Sequence, residues 1–246
     1  MSDVTVLLTV WKRPHLARQL AMLAEQSEPP AAIWVYHCAR HVDAMAAIRG
    51  FRAIPVNYIH SDEDLGYFGR FAILPFVDTP FVAVIDDDLM PGREWLAYAR
   101  DKVAAHGAVV STCGTILPRQ CFDLRVGHIV GGSGDCPADT WVDFGCNSWM
   151  LRTDWARRFW TVPPAHLRNA EDMHFGAAMA EHGIGTLVPD QRAPERSGNG
   201  VPALGADAVA SWRRKGYDEE RAATLAYLRA RGWRTLAERN APPGPS

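Results

Sequence analysis

Apolar residues run unbroken through Val4–Val10 and stop at Lys12-Arg13-Pro14. Leu16, Leu20 and Leu23 then recur at helical spacing as far as Gln26, where Glu28-Pro29-Pro30 ends the pattern. IWVYHC (33–38) reads as a second buried strand, 42–49 as a short helix, and Ile54–Ile59 as a third strand. After a polar loop over 60–66 and a short helix around 70–77, FVAVI (81–85) is the next strand. Continuous apolar strands alternating with helices predict an α/β fold, a Rossmann-like, mostly parallel central sheet with flanking helices. Further along, 94–105 reads as a helix, 108–112 and 144–151 as strands, 153–159 and 171–182 as helices, and 185–188 as a strand. Residues 117–143 are rich in Gly, Asp, Cys and Pro and predict irregular structure or short strands. The Pro- and Gly-rich stretch 189–205 reads as a mobile loop, 206–215 and 218–231 as helices, and 241–246 as a disordered tail. A single domain over 1–240 accounts for the whole pattern.

Composition narrows the function classes. At 246 residues, with 48% hydrophobic and 22% charged side chains, the chain can bury a sizeable core. Its formal net charge of −2 argues against a general attraction for nucleic acid or anionic membrane. Lys12, Lys102 and Lys215 are the lysines, so 23 of 26 basic residues are arginine, a bias that usually reflects genome composition, although arginine also grips phosphates bidentately. Cys38, Cys113, Cys121, Cys136 and Cys146 are odd in number and form no CxxC pair, which predicts free thiols and a cytoplasmic setting. The apolar run at the N-terminus is too short to span a membrane. Self-association stays open at this level.

The chemistry concentrates in VIDDDLMPG (84–92). Three adjacent carboxylates repel one another and resist desolvation unless a cation or strong donors answer them. Along the strand, Asp86 and Asp88 share a face and Asp87 points away. In an open sheet ligands bind beyond the C-terminal ends of strands, so the position suits Mg²⁺ or Mn²⁺ held by carboxylates and substrate phosphates. An acidic turn that caps the next helix is the structural alternative.

Four motifs in order extend this. VTVLLTVWKRPHLARQLAMLAEQ, DLGYFGRF, VIDDDLMPG and AEDMHFGAAMAEHGIGTLVP together resemble GT-A glycosyltransferases over residues 4–190. Within that class DLGYFGRF, IDDDLMPGREWL and EDMHFGAAMAEHGIGTLVP are most similar to bacterial heparosan-type N-acetylglucosaminyltransferases, and more distantly to exostosin-like hexosaminyltransferases. The resemblance implies a metal-dependent transferase with a UDP-sugar donor, N-acetylglucosamine as its sugar, and an acceptor hydroxyl it does not identify. It implies a nucleotide-binding half over 1–90, an acceptor half over 91–190, and a lid loop with C-terminal helices over 191–240. Carried over by position, Asp88 and Asp86 hold the metal, and Asp86 and Asp87 meet ribose or sugar hydroxyls. Thr9, Trp11 and Arg13 sit where the family contacts nucleoside and phosphates, and Arg70 where a basic residue approaches the diphosphate. A surface pair with Asp62 or Asp64 is the alternative for Arg70. His37-Cys38 departs from the family's Asp or Asn at the uracil edge, although a neutral His37 can still make one hydrogen bond there.

Glu171 and Asp172 open a helix, where the dipole favours carboxylates whatever their role. The resemblance makes one of them the residue that faces the acceptor hydroxyl, general base in an inverting enzyme and positioning group in a retaining one, with DMHF favouring Asp172. His174 is weighed as a third ligand against a supporting role. Arg196, with Arg192 behind it, falls in RAPERSGNG (192–200), a composition that fits either a phosphate-closing lid or an exposed loop. Gly131–Gly134 lacks a P-loop lysine and reads as a turn, while Trp141, Trp149 and Trp160 divide between core packing and sugar stacking. A haloacid-dehalogenase-like phosphohydrolase would place DxD on its first strand, and a nucleotidyltransferase would need a Gly-rich basic loop where TVWKRPHL stands. A catalytically inactive nucleotide-sugar-binding module is the non-enzymatic alternative.

Overall fold

In the computed structural model, which describes residues 2–121, 123–132 and 136–239, the alternation builds one mixed sheet. β1 (Val4–Val10), β2 (Ala32–Cys38), β3 (Val56–Ser61) and β4 (Phe81–Ile85) lie parallel in the order β3-β2-β1-β4. Their crossovers are α1 (Leu16–Ala24), α2 (Ala44–Gly50) and α3 (Gly69–Ala72). α1 forms because Leu16, Leu20 and Leu23 bury one stripe against the sheet, and the prolines at 29 and 30 prevent its continuation.

After α4 (Trp95–His106) the sheet changes character. β5 (Val109–Ile116) is separated from β4 by β8 (Phe144–Arg152), which runs antiparallel to both. β6 (His128–Val130) pairs with the far end of β5, and β9 (Thr186–Val188) with its start. β7 (Thr140–Val142) closes that edge against β9. α5 (Glu171–Ala180) and α6 (Tyr217–Ala230) pack on this half, and α7 (Leu236–Arg239) ends it. The main core surrounds Leu7, Phe71, Val84 and Trp149, and a second cluster joins Phe144 and Met173 to Leu225 and Leu228.

Two expectations are corrected. Residues 153–160 form a 3-10 helix, tighter than an α-helix. Residues 206–215 are not one helix: 3-10 turns at Pro202–Ala206 and Ser211–Arg213 are separated by extended backbone at Asp207. The stretch 189–205 is irregular with short 3-10 turns, as its composition predicts, and hydrogen-bonds to the segment after the aspartate turn: the Gly92 N–H donates to Ser197 O at 2.7 Å, the Glu94 N–H to Glu195 O at 2.7 Å, and the Gly200 N–H to Met90 O at 2.9 Å. Gly92, on the facing segment, lets backbone approach backbone: a Cβ there would sit 2.2 Å from Pro194 O. Residues 133–135 of the glycine run and 240–246 of the tail lie outside the described residues. Among the described residues no helix is long and apolar enough to cross a membrane.

Candidate active site

β4 ends at Ile85, so the three aspartates occupy a turn, closed by the Leu89 N–H donating to Asp86 O at 3.2 Å. The alternating-face expectation fails for that reason: Asp86, Asp87 and Asp88 all line one cavity of about 990 Å³. Gln19 of α1 and Gln26, just beyond its end, hold this turn. Gln19 is buried inside the apolar stripe and donates through Nε2 to Asp86 O at 2.7 Å and Leu89 O at 3.1 Å. Gln26 donates to Gly92 O at 2.9 Å and accepts from the Leu96 N–H at 3.1 Å. Sequence reading missed both, although a polar residue beside the apolar stripe of a buried helix is the available signal.

Two arginines answer the acids. Arg13 reaches Asp87 at 2.6 Å, Asp88 at 3.2 Å and Asp207 at 2.7 Å. Arg70, buried at the start of α3, pairs with Asp86 and, at 2.7 Å, with Glu171. The surface partners considered for Arg70 are excluded, because Asp62 pairs with Arg40 and Asp64 accepts from the Gly66 N–H. Five carboxylates thus face two guanidiniums. Burial pushes the Asp86 carboxyl up to about 8; Arg70 opposes the rise, and Asp88, Asp87 and Glu171 add to it. Asp88 is raised as well, by burial first, with Arg13 pulling the other way.

Thr9 and Trp11 line the same cavity, Thr9 donating to Ile85 O at 3.4 Å. The buried Trp11 Nε1–H has no hydrogen-bond partner among the described residues, as has Asn199 Oδ1 on the wall formed by the pinned 192–200 stretch. Unmet polar atoms on a cavity wall are what a polar ligand would satisfy. Asn147, in the left-handed region at φ 72°, supplies the carbonyl that accepts from the Asp86 N–H at 3.2 Å. Ala170, at φ 66°, delivers the chain to Glu171. Non-glycine residues in this conformation persist where surrounding structure enforces them, and here both adjoin the acids.

The remaining sequence candidates divide. Tyr36 and Cys38 line the cavity, whereas His37 faces a smaller pocket and shares a 2.8 Å hydrogen bond with the Tyr58 hydroxyl. Burial lowers its pKa, and His60, Arg40 and His41 lower it further, favouring neutral imidazole. Asp172 is sealed: both oxygens accept from Arg221, each at 2.9 Å, and neither Glu171 nor Asp172 belongs to the cavity wall proper. His174 is buried among Phe68 and Phe159 with Nε2 2.9 Å from Phe159 O, in a core setting. Arg196 pairs with Glu94 and lies over Tyr98, and Arg192 pairs with Asp190, both outside the cavity. Trp149 is core, Trp160 lines the cavity, and Trp141 stands exposed at the β7 edge. Sequence reading also missed Arg168, Tyr67, Arg214 and Asp207, which only convergence of distant segments places here.

A divalent cation fits the chemistry of the site: the donors are hard carboxylate oxygens, and their charge exceeds that of the two arginines. Among the described residues, no three His, Cys, Asp or Glu side chains are arranged to hold a metal by themselves. Such a cation would therefore need substrate oxygens to complete its shell.

No protein-family model and no curated protein matches the chain in sequence. Solved structures match in fold. S. aureus TarS in complex with UDP-GlcNAc aligns with TM-score 0.58 at 15% identity over 78% of this chain and 57% of that one. The longer TarS structure aligns with TM-score 0.57 at 16% identity, over 78% of this chain and 36% of that one. GalNAc-T7 with UDP, GalNAc and Mn²⁺ aligns with TM-score 0.60 at 6% identity, over 76% and 41%. The chain thus matches well under two thirds of the length of each of these structures. The parallel β3-β2-β1-β4 half with the antiparallel β8 beside it is the fold these structures share with this chain, the GT-A type.

Proposed function

We propose that this protein is a metal-dependent glycosyltransferase that moves a sugar, N-acetylglucosamine in the first instance, from a UDP-sugar to an acceptor hydroxyl. One observation carries the reading: at the end of β4 the acidic turn, Arg13, Thr9 and Trp11 share one cavity large enough for a nucleotide-sugar. The structural neighbours bound to UDP-GlcNAc, and to UDP with Mn²⁺, support the donor class.

In this reading Asp88 and Asp86 hold Mn²⁺ or Mg²⁺, which when bound supplies Lewis-acid neutralisation of the diphosphate leaving group. Thr9, Trp11 and Arg13 take the nucleoside and phosphates, with the unmet Trp11 N–H donating to a donor oxygen. Asp87 orients ribose or sugar hydroxyls. His37 acts from behind the cavity wall through Tyr36 and Cys38, and Arg196 supports the pinned 192–200 wall from its outer side. The glycosidic C1–O bond to UDP breaks as the acceptor oxygen bonds to C1, and the acceptor proton leaves towards the acidic pair at the start of α5. Of that pair the geometry favours Glu171 over Asp172, because Glu171 shares Arg70 with Asp86, whereas Arg221 holds both Asp172 oxygens. Arg70 is a positioning residue that couples the donor and acceptor acids.

The test is UDP release from a panel of UDP-sugars with Mn²⁺, with Mg²⁺ and with EDTA. Metal-dependent release from one sugar, lost in Asp88→Ala, is expected. UDP binding without turnover on any acceptor would instead favour a binding module, a reading to which the Arg13 grip on Asp87 and Asp88 lends some support. Absence of UDP binding would overturn both.

A further inference from the structure

Arg13 is the side chain that the transferase reading gives to the donor phosphates, and in this structure its fork is already full. Nε donates to Asp207 Oδ2 at 2.7 Å and Nη2 to Asp207 Oδ1 at 2.9 Å, the paired bonds with which a guanidinium also grips a phosphate. Nη1 faces Asp87 at 2.6 Å and Asp88 at 3.2 Å. A phosphate can take the two-bond edge of Arg13 only where the Asp207 carboxylate now sits.

The three carboxylates on Arg13 are not equivalent. Asp87 and Asp88 belong to the turn that Gln19 fixes from α1, and their side chains are 11% and 19% exposed. Asp207 arrives from the stretch 201–213, between the Gly200 N–H bond to Met90 O and the start of α6, and its side chain is 39% exposed. Local bonds shape that stretch: the Leu204 N–H donates to Val201 O at 3.2 Å, the Val209 N–H to Asp207 Oδ1 at 3.1 Å, and the Arg213 N–H to Ala210 O at 3.0 Å. Gly205, Val209 and Ser211 of this stretch form part of the cavity wall, and a Cβ on Gly205 would stand 2.9 Å from Asp88 Oδ2. Asp207 thus adds a third negative charge to a guanidinium that already faces two. A partly exposed ion pair costs little to break, and a diphosphate brings more charge to the same edge than one carboxylate does.

We propose that 201–213 is an autoinhibitory strap: the Asp207 carboxylate holds the place of a phosphate on Arg13, and a diphosphate binds by displacing it. The displacement exchanges one ion pair for another, with no covalent bond made or broken. Release of Asp207 also draws Gly205 away from Asp88, so the strap that yields to the diphosphate uncovers the acid assigned to the cation. That the diphosphate belongs to a UDP-sugar rests on the transferase reading; the competition between Asp207 and a diphosphate for Arg13 does not.

The experiment is a calorimetric titration of the full chain, wild type and Asp207→Asn, with inorganic pyrophosphate and with UDP, both in EDTA. Beside it, trypsin cleavage after Arg213, Arg214 and Lys215 is timed with and without pyrophosphate. Asp207→Asn keeps the side chain's shape and removes its charge. It should bind pyrophosphate about tenfold more tightly than the wild type, the gain expected where the wild-type fork is open about one tenth of the time. Cleavage at the end of the strap should be about tenfold faster in Asp207→Asn, and pyrophosphate should accelerate it in the wild type alone. Unchanged pyrophosphate affinity in the variant would overturn the proposal. Weaker affinity would overturn it as well, by making Asp207 part of the anion site instead of its competitor. Should Asp207→Asn fail to fold, the wild type decides: cleavage that pyrophosphate does not accelerate would overturn the strap, and cleavage that it does accelerate would support it. The expected pyrophosphate pattern with no UDP binding to either protein would count against the transferase reading alone, and refusal of both anions by both proteins would overturn both.

Discussion

Two arginine–carboxylate clusters lie close together and handle charge in opposite ways. Around Arg221, one guanidinium meets one carboxylate bidentately, at 2.9 Å to each Asp172 oxygen, beneath Phe144 and Tyr217. Around Arg13 and Arg70, five carboxylates crowd two guanidiniums, and the three of the aspartate turn line an open cavity. The first arrangement is balanced, as a cluster serving only the fold would be. The second sets more carboxylates than guanidiniums side by side; burial first, and the neighbouring acids after it, raise the Asp86 carboxyl to about 8 and lift Asp88 as well. Charge left uncompensated on a cavity wall is better explained by a ligand than by stability.

The comparison can be broken most forcefully at the balanced pair. Arg221→Ala strands a buried carboxylate and should cost about 3–5 kcal/mol of stability in urea unfolding. Arg221→Met with Asp172→Leu should recover most of that loss and still release UDP; an inactive but folded double variant would return the acid role to Asp172. At the unbalanced cluster the expectation reverses. Asp88→Asn should lower UDP release by about 100-fold or more while leaving the thermal midpoint unchanged or higher, because it relieves repulsion. A midpoint that drops sharply would mean that Asp88 serves the fold. Mn²⁺ at about 100 times its Kd should stabilise the wild type by about 2.7 kcal/mol in calorimetry, with the gain absent in Asp88→Asn and reversed by EDTA.

The smallest effect is expected far from the cavity. Hydrogen bonds from Arg229 hold the Glu238 carboxyl down at about 2, against burial, with the Thr235 and Gln120 N–H groups helping. A carboxyl depressed in the folded state stabilises fully above its unfolded value of 4.5 and loses that contribution as pH falls towards 2. Glu238→Gln should therefore cost about 1–2 kcal/mol at neutral pH and progressively less between pH 4.5 and 2. A cost independent of pH over that window would exclude the ion pair as its source.

Most of the strands were legible because their burial is continuous. FVAVI matches β4 residue for residue, and IWVYHC misses only the first residue of β2. The reading failed where local pattern and tertiary demand diverge. Residues 189–205 form the loop their composition suggests, but what holds it was not legible: Gly92, lacking a Cβ, lets Pro194 and Ser197 reach the backbone behind the aspartate turn. Residues 206–215 carry helix-compatible side chains, but extended backbone at Asp207 lets that residue reach Arg13.

The sequence by itself determined the order of strands and helices and the acidic turn at the end of β4, because apolar periodicity and a run of like charges are local properties. Tertiary structure decided which charges meet. Arg70 lies 101 positions from Glu171 and Arg13 lies 194 from Asp207. Alternation along the strand turned Tyr36 and Cys38 towards the cavity and His37 away, and packing of α6 against α5 closed Arg221 over Asp172. Ion pairs between remote segments depend on sheet order and helix packing, so they take shape only once the chain has folded.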